Sequence, residues 1–172
     1  MITKNDLKVL QVPDRRRGQK KDLKVPESAE LYAALDLGTN SCRMLIAQPN
    51  GSQFHVIDSF SKSVQLGAGL ERSGRLSKVA MARTIGALMI CQKKLRHHCV
   101  NRMRLIATEA CRRASNAADF IKLIERETGL SLEIIAPEEE ARLAVISCAP
   151  LVSINTEQLL VVDIGGGSTE LI

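Results

Sequence analysis

The sequence predicts an α/β fold: a mixed five-stranded sheet with flanking helices, followed by the first hairpin of a second lobe. Three observations predict it. Successive short apolar runs after residue 31, broken by turn residues, read as an antiparallel meander. Beyond Ser77, helically spaced apolar residues alternate with short apolar runs, the pattern of strands joined by crossover helices. An apolar run that ends in an acid and opens into glycine occurs twice, at Asp36 and at Asp163.

Taken in order, residues 1–29 read as a basic, disordered tail. Asp14-Arg-Arg-Arg-Gly-Gln-Lys-Lys21 carries charge without a hydrophobic period, and its sharper reading is an arm for a polyanion. Residues 30–153 make the first lobe and 154–172 the start of a second. Tyr32 to Asp36 and Cys42 to Gln48 are strands, and the Pro49-Asn-Gly51 turn leads to a third from Gln53 to Phe60. Lys62 to Arg75, with Gly67, Gly69 and Gly74, is a loop. Ser77 caps a long helix that ends near Arg96, with Val79, Ala82, Ile85, Leu88 and Leu95 close to helical spacing. Met103 to Ala107 is the fourth strand, and Thr108-Glu-Ala-Cys-Arg-Arg113 follows its end. Asn116 caps a helix to Glu127 that Gly129 closes; Leu132 to Ile135 is the fifth strand. Pro137 opens a last helix to Cys148, and Pro150 and Asn155 mark the connection to the glycine hairpin.

Composition narrows the class. A length of 172 residues allows one domain, at most about one and a half. Hydrophobic content is 45% but aromatic content only 2%, so the core must be aliphatic. The net charge of +5 favours anionic partners. Scarce aromatics argue against stacking platforms for single strands, so no specific nucleic acid is expected. The five cysteines include no CxxC pair, which speaks for reduced thiols and a cytoplasmic protein. No run is long enough to span a bilayer, Met1 to Ser28 is too polar for a signal peptide, and no membrane partner is expected.

The chemistry concentrates in the two acid–glycine loops. Leu159-Leu-Val-Val reads as a buried strand that delivers Asp163 to its end. Gly165, Gly166 and Gly167 let the backbone turn sharply and present N–H groups to an anion. Ser168 and Thr169 add hydroxyls, and Glu170 a second carboxylate. The earlier loop repeats the pattern with Asp36, Gly38, Asn40 and Ser41. Each returns to an apolar run, so each is a strand–turn–strand hairpin; the Gly-Lys-Ser/Thr ending of a Walker loop is missing. One such loop is no more than a tight turn. Two, each with Asp before the turn, make a place for phosphate and a divalent metal.

The element order resembles a ribonuclease-H-like lobe of the actin-like ATPase superfold. Four blocks narrow the resemblance: Asp36-Leu-Gly-Thr-Asn-Ser41; Ala107-Thr-Glu-Ala-Cys-Arg112 with Asn116-Ala; Glu138-Glu-Glu-Ala-Arg-Leu143; and Val162-Asp-Ile-Gly-Gly-Gly-Ser-Thr-Glu-Leu171. Together they look like the exopolyphosphatase / guanosine pentaphosphate phosphatase (Ppx/GppA) family. The resemblance implies a phosphoanhydride hydrolase with inorganic polyphosphate or guanosine pentaphosphate as substrate. It implies Mg²⁺ or another divalent cation, and no organic cofactor. It makes Glu140 the base and Arg112 the partner of a phosphate oxygen. Asp163 and Glu170 become metal ligands; Asp36 either joins them or fixes its own turn. Gly38, Asn40 and Ser41 hold phosphate from one side, Gly165, Gly166, Ser168 and Thr169 from the other. The family usually carries Ile-Ser-Gly where this chain has Ile135-Ala-Pro137. Its module needs a second lobe, so the sequence reads as an N-terminal part, inactive alone, whose end hairpin offers an edge to a second copy as a homodimer.

Local readings stand beside these. Glu138, Glu139 and Glu140 sit in a first helical turn, where the dipole welcomes carboxylates, and they should raise one another's pKa. The basic run from Lys93 to Arg104 reads as a polyphosphate track or as an ordinary helix C-terminus. His97 and His98 receive no metal, and neither Cys42 nor Cys111 has a base partner that would make it a nucleophile. The rival functions are the ATP-binding lobe of a kinase or chaperone, and a non-catalytic module.

Overall fold

The computed structural model describes residues 30–51, 53–153, 155–156 and 158–172; the tail expected over 1–29 lies outside them. The meander is present as β1 (Tyr32–Leu37), β2 (Ser41–Asn50) and β3 (Gln53–Ser63), paired antiparallel. β4 (Arg102–Ala107) adds to the other edge of β1 in parallel, and β5 (Glu133–Ile134) pairs parallel to β4. The order β3-β2-β1-β4-β5 is the ribonuclease-H-like arrangement that the resemblance implies. A separate two-stranded sheet joins β6 (Val162–Ile164) to β7 (Thr169–Leu171).

This topology makes the site. Because β1, β4 and β5 run parallel, Leu37, Ala107 and Ile134 stand side by side at their ends. The segments that leave these strands therefore emerge along one rim, where open α/β sheets bind ligands. Backbone bonds carry the sheet past its last residues: the Thr108 N–H donates to the Leu37 carbonyl and the Ile135 N–H to Ala107, both at 3.2 Å.

The helices are α1 (Leu70–Ser73), α2 (Lys78–His97), α3 (Glu109–Arg113), α4 (Ala117–Thr128) and α5 (Pro137–Cys148). α2 packs against β2 and α4. Leu88, Cys91 and Leu95 of α2 and Phe120 and Ile124 of α4 join Leu35, Leu37, Met44 and Ile46 in one core. The core is aliphatic as expected: among the described residues Phe120 is its only buried aromatic side chain.

Several expectations need correction. α1 lies within the run expected to be loop, and α3 in the stretch after β4 for which no element is expected, because helices of four and five residues are too short to show a period. Left-handed Gly69 (φ 77°) and Gly74 (φ 63°) bound α1 at both ends. Ser77 caps α2 as expected, its Oγ accepting from the Ala80 N–H at 3.2 Å. Asn116 stands at the α4 N-cap position but caps nothing. Its amide reaches back to Leu76, accepting from the N–H at 2.8 Å and donating to the carbonyl at 3.1 Å. The run Leu159 to Val162 is not a buried strand. Only Val161 is buried, Leu160 is 70% exposed, and the strand begins at Val162. A two-stranded sheet offers no opposing layer to cover such a run.

The basic run 93–104 is consumed by ion pairs. Lys94 Nζ lies 2.7 Å from both Asp58 oxygens and His98 Nε2 lies 3.1 Å from one, holding the Asp58 carboxyl at about 2. Arg102 pairs with Glu30, and Arg104 with Glu133 and Glu139. Of these four, Lys94 and His98 stand at the end of α2 and Arg102 and Arg104 on β4. Cys42 is buried against Cys91, which with burial pushes its thiol up, and burial lifts Cys111 to about 11; neither is a nucleophile.

Because Asn116 satisfies two buried backbone groups of Leu76, Asn116→Ala is expected to lower the unfolding free energy by about 2–3 kcal/mol in urea titration. A loss below about 0.5 kcal/mol would mean that water replaces the amide at no cost.

Candidate active site

The first turn hangs from the middle strand. After Asp36 and the buried Leu37, the Gly38 N–H donates to the Ser41 carbonyl at 2.9 Å and closes the hairpin. The Asn40 carbonyl accepts from Val64 (2.8 Å) and Gln65 (2.9 Å), and the Thr39 carbonyl from Gly67 (3.0 Å). A Cβ on Gly67 would come within 2.4 Å of the Thr39 Cγ2, so glycine is required for this close approach. The segment after β3 thus clamps the turn from below.

The second turn repeats the first. Asp163, Gly165 and Ser168 have the spacing of Asp36, Gly38 and Ser41, and the Gly165 N–H donates to the Ser168 carbonyl at 2.9 Å. In the register, Asp36 faces Arg43 across its hairpin, whereas Asp163 faces Glu170. The Glu170 side chain lies outside the described part of the structure. Thr169 pairs with Ile164, on the face of β6–β7 opposite Asp163.

The two turns meet tip to tip. A Cβ on Gly166 would lie 2.5 Å from the Asn40 Nδ2, and one on Gly167 would lie 2.9 Å from the Thr39 Oγ1. A Cβ at either position would force the Asn40 or Thr39 side chain to move. The acids share this junction. Burial first pushes the Asp36 carboxyl above its ordinary range; the Glu140 carboxylate adds to the push, Arg43 opposes it, and Asp163 adds again. Glu140 and Asp163 thus both act on Asp36.

Arg112 lies across the neighbouring segments. Its guanidinium is 14% exposed. Nη1 donates to the Ile135 carbonyl at 3.0 Å and to Glu140 Oε2 at 2.7 Å; Nη2 donates to Glu109 Oε2 at 3.0 Å. Glu140 comes from the first turn of α5, whose N-cap position is Ala136 without a capping side chain and whose first residue is Pro137, as expected. The expectation that the three adjacent glutamates raise one another's pKa fails at Glu139. Arg142 and Arg104 bind it and hold its carboxyl at about 2. Only Glu140 of the three is tied to Arg112. Cavities of about 390 Å³ beside Leu151 and Leu160 and about 260 Å³ beside Arg75 and Phe120 lie away from this junction.

The model of the Ppx/GppA phosphatase family matches residues 45–172. The chain belongs to that family. The match takes in Glu109, Arg112, Glu140 and the second turn; the first turn precedes it. A crystal structure of the Ppx/GppA family member from Aquifex aeolicus is 36% identical with a TM-score of 0.73, over 84% of this chain and 47% of that one. An exopolyphosphatase from Cytophaga hutchinsonii is 29% identical with a TM-score of 0.74, over 83% and 46%. The chain thus spans about half the length of the Ppx/GppA structures it matches. Among the described residues no helix is long and apolar enough to cross a membrane.

Sequence reading missed two groups at this Ppx/GppA junction. Thr39 lies under Gly167, and Glu109 holds Arg112 while its Cγ would lie 3.5 Å from a Cβ on Gly167. Both stand inside quoted motif blocks. The i,i+3 spacing of Glu109 and Arg112 was the available signal for the second.

The raised Asp36 carboxyl has a consequence for stability. A carboxyl that holds its proton more tightly in the folded than in the unfolded state weakens the fold as pH rises from the ordinary value of 3.8 through the raised one, and the full penalty stands at neutral pH. Asp36→Asn is therefore expected to raise the unfolding free energy at pH 7, with the gap to wild type closing as pH falls to 3.8. Urea titrations at the two pH values check it; a less stable variant at pH 7 would show that Asp36 has a partner for its charge.

Proposed function

We propose that the chain carries the first half of the cleft of a phosphoanhydride hydrolase, which releases terminal phosphate from inorganic polyphosphate, guanosine pentaphosphate or both. One observation carries the reading: two acid-tipped glycine turns touch tip to tip, and Glu140 acts electrostatically on one of the acids. Family membership and the matched exopolyphosphatase support it.

The residues suit a divalent cation and phosphate together. Asp36 and Asp163 are hard oxygen donors, the kind Mg²⁺ prefers when it shares its shell with water and phosphate oxygens. Among the described residues no three His, Cys, Asp or Glu side chains converge to hold an ion by themselves, so water and substrate would complete the shell. Bound there, Mg²⁺ would neutralise charge on the phosphoryl oxygens and keep them in line.

The protein's own groups do the rest. The free N–H groups of the glycine turns, with Asn40, Ser41 and Ser168, bind phosphate oxygens from both sides. Arg112 takes an oxygen of the transferred group. Glu140 accepts the proton of the water that attacks in line with the leaving oxygen. At rest Arg112 and Glu140 hold each other at 2.7 Å, so a substrate oxygen must displace Glu140 from the guanidinium before the carboxylate can act.

The test uses a chimera completed with the second half of the Aquifex aeolicus family member. Glu140→Gln is expected to cut phosphate release from polyphosphate by about 10²–10⁴-fold while tripolyphosphate binding persists. Unchanged turnover would remove Glu140 from the role of base.

A further inference from the structure

Glu109 has no part in the chemistry just described, yet it touches both Arg112 and the second turn. We propose that Glu109 is a positioning residue that keeps the Arg112 guanidinium in its place while a substrate phosphate displaces Glu140 from it. The inference rests on the reading of Arg112 as a phosphate partner.

Three groups hold Arg112, and they are not equivalent. Ile135 offers a backbone carbonyl at 3.0 Å, fixed by the sheet. Glu109 lies one turn back on the same helix, so it moves with Arg112, and its second oxygen stands 3.7 Å from Arg113 Nε. Glu140 stands on another helix, α5, and shares Nη1 with Ile135. Of the two carboxylates, Glu140 is the one that can leave without disturbing α3. When a phosphate oxygen competes for Nη1, one anion replaces another and Glu140 is released toward the attacking water. Nη2 stays with Glu109, and the rigid plane of the guanidinium keeps Nη1 where Glu140 held it.

Packing sets the distance. The Glu109 Cγ would lie 3.5 Å from a Cβ on Gly167, so the side chain lies against the second turn as well as beside Arg112. It is 21% exposed, which limits its freedom to swing away. A negative charge at this place otherwise works against phosphate binding. Repulsion and positioning therefore predict opposite signs when the charge is removed.

The experiment is isothermal titration of the 172-residue chain with inorganic tripolyphosphate in Mg²⁺, with thermal unfolding of each variant alongside. Wild type is expected to bind and Arg112→Ala to lose binding. Glu109→Gln, which keeps the shape and removes the charge, is expected to bind about tenfold more weakly, the loss of one charge-assisted hydrogen bond. Glu109→Asp, which restores the charge, is expected to recover part of that loss. Equal or tighter binding by Glu109→Gln makes Glu109 a mere repelling charge and overturns the proposal, while Arg112 keeps its role. If Glu109→Gln is poorly folded, Glu109→Asp decides: binding near wild type supports positioning, and binding lost in a folded protein refutes it. Absent binding by wild type, or full binding by Arg112→Ala, refutes the phosphate role of Arg112 and this proposal with it.

Discussion

The site depends on a close contact between two glycine turns. Gly166 and Gly167 lie so close to the Asn40 and Thr39 side chains that a single added carbon would displace them. Glycine is needed here for proximity more than for conformational freedom. That closeness brings a carboxylate from each hairpin under the influence of the other, as the push of Asp163 on Asp36 shows. Everything else at the rim is arranged around the junction: the clamp on the first turn from below, and Arg112 with its two carboxylates beside it.

The two turns are copies in sequence and in hydrogen bonding, but they are mounted differently. The first grows from the central strand of a five-stranded sheet and is bolted to the segment after β3. The second sits on a two-stranded sheet whose Val162, Ile164 and Leu171 are largely exposed. One turn is rigid by packing; the other is placed chiefly through its contact with the first. The cross-strand partners differ as well, Arg43 opposite Asp36 and Glu170 opposite Asp163. The duplicated geometry therefore carries an asymmetric charge.

Much of this was legible in the sequence, because strand ends, glycine turns and caps are local. The Asp36 and Asp163 loops, the Ser77 cap and the Pro137 start were readable from a few adjacent residues. What failed was non-local. Asn116 looked like a cap, but a backbone forty residues away made a better offer for its amide. Glu139 looked like one of three mutually repelling acids until Arg104, from another strand, came within 2.8 Å. Leu159 and Leu160 looked buried because hydrophobicity in sequence does not say whether an opposing layer exists. Glu109 stood inside a recognised block, yet its role emerges only when the distant Gly167 is seen against it.

The charges at the junction constrain how an anion can bind there. Arg112 is committed to Glu109 and Glu140, and Arg113 lies beside Glu109. Asp36 is raised first by its burial, and of the nearby charges Arg43 opposes the shift while Glu140 and Asp163 add to it. A bare phosphate approaching from the glycine turns meets excess negative charge, which backbone N–H dipoles offset only in part. A phosphate that arrives with a divalent cation meets the opposite situation, because the same carboxylates attract the pair. On the proposed reading, cation and phosphoanhydride are then recognised as one unit. On that reading the same acids would make the junction selective for the substrate that carries its cation.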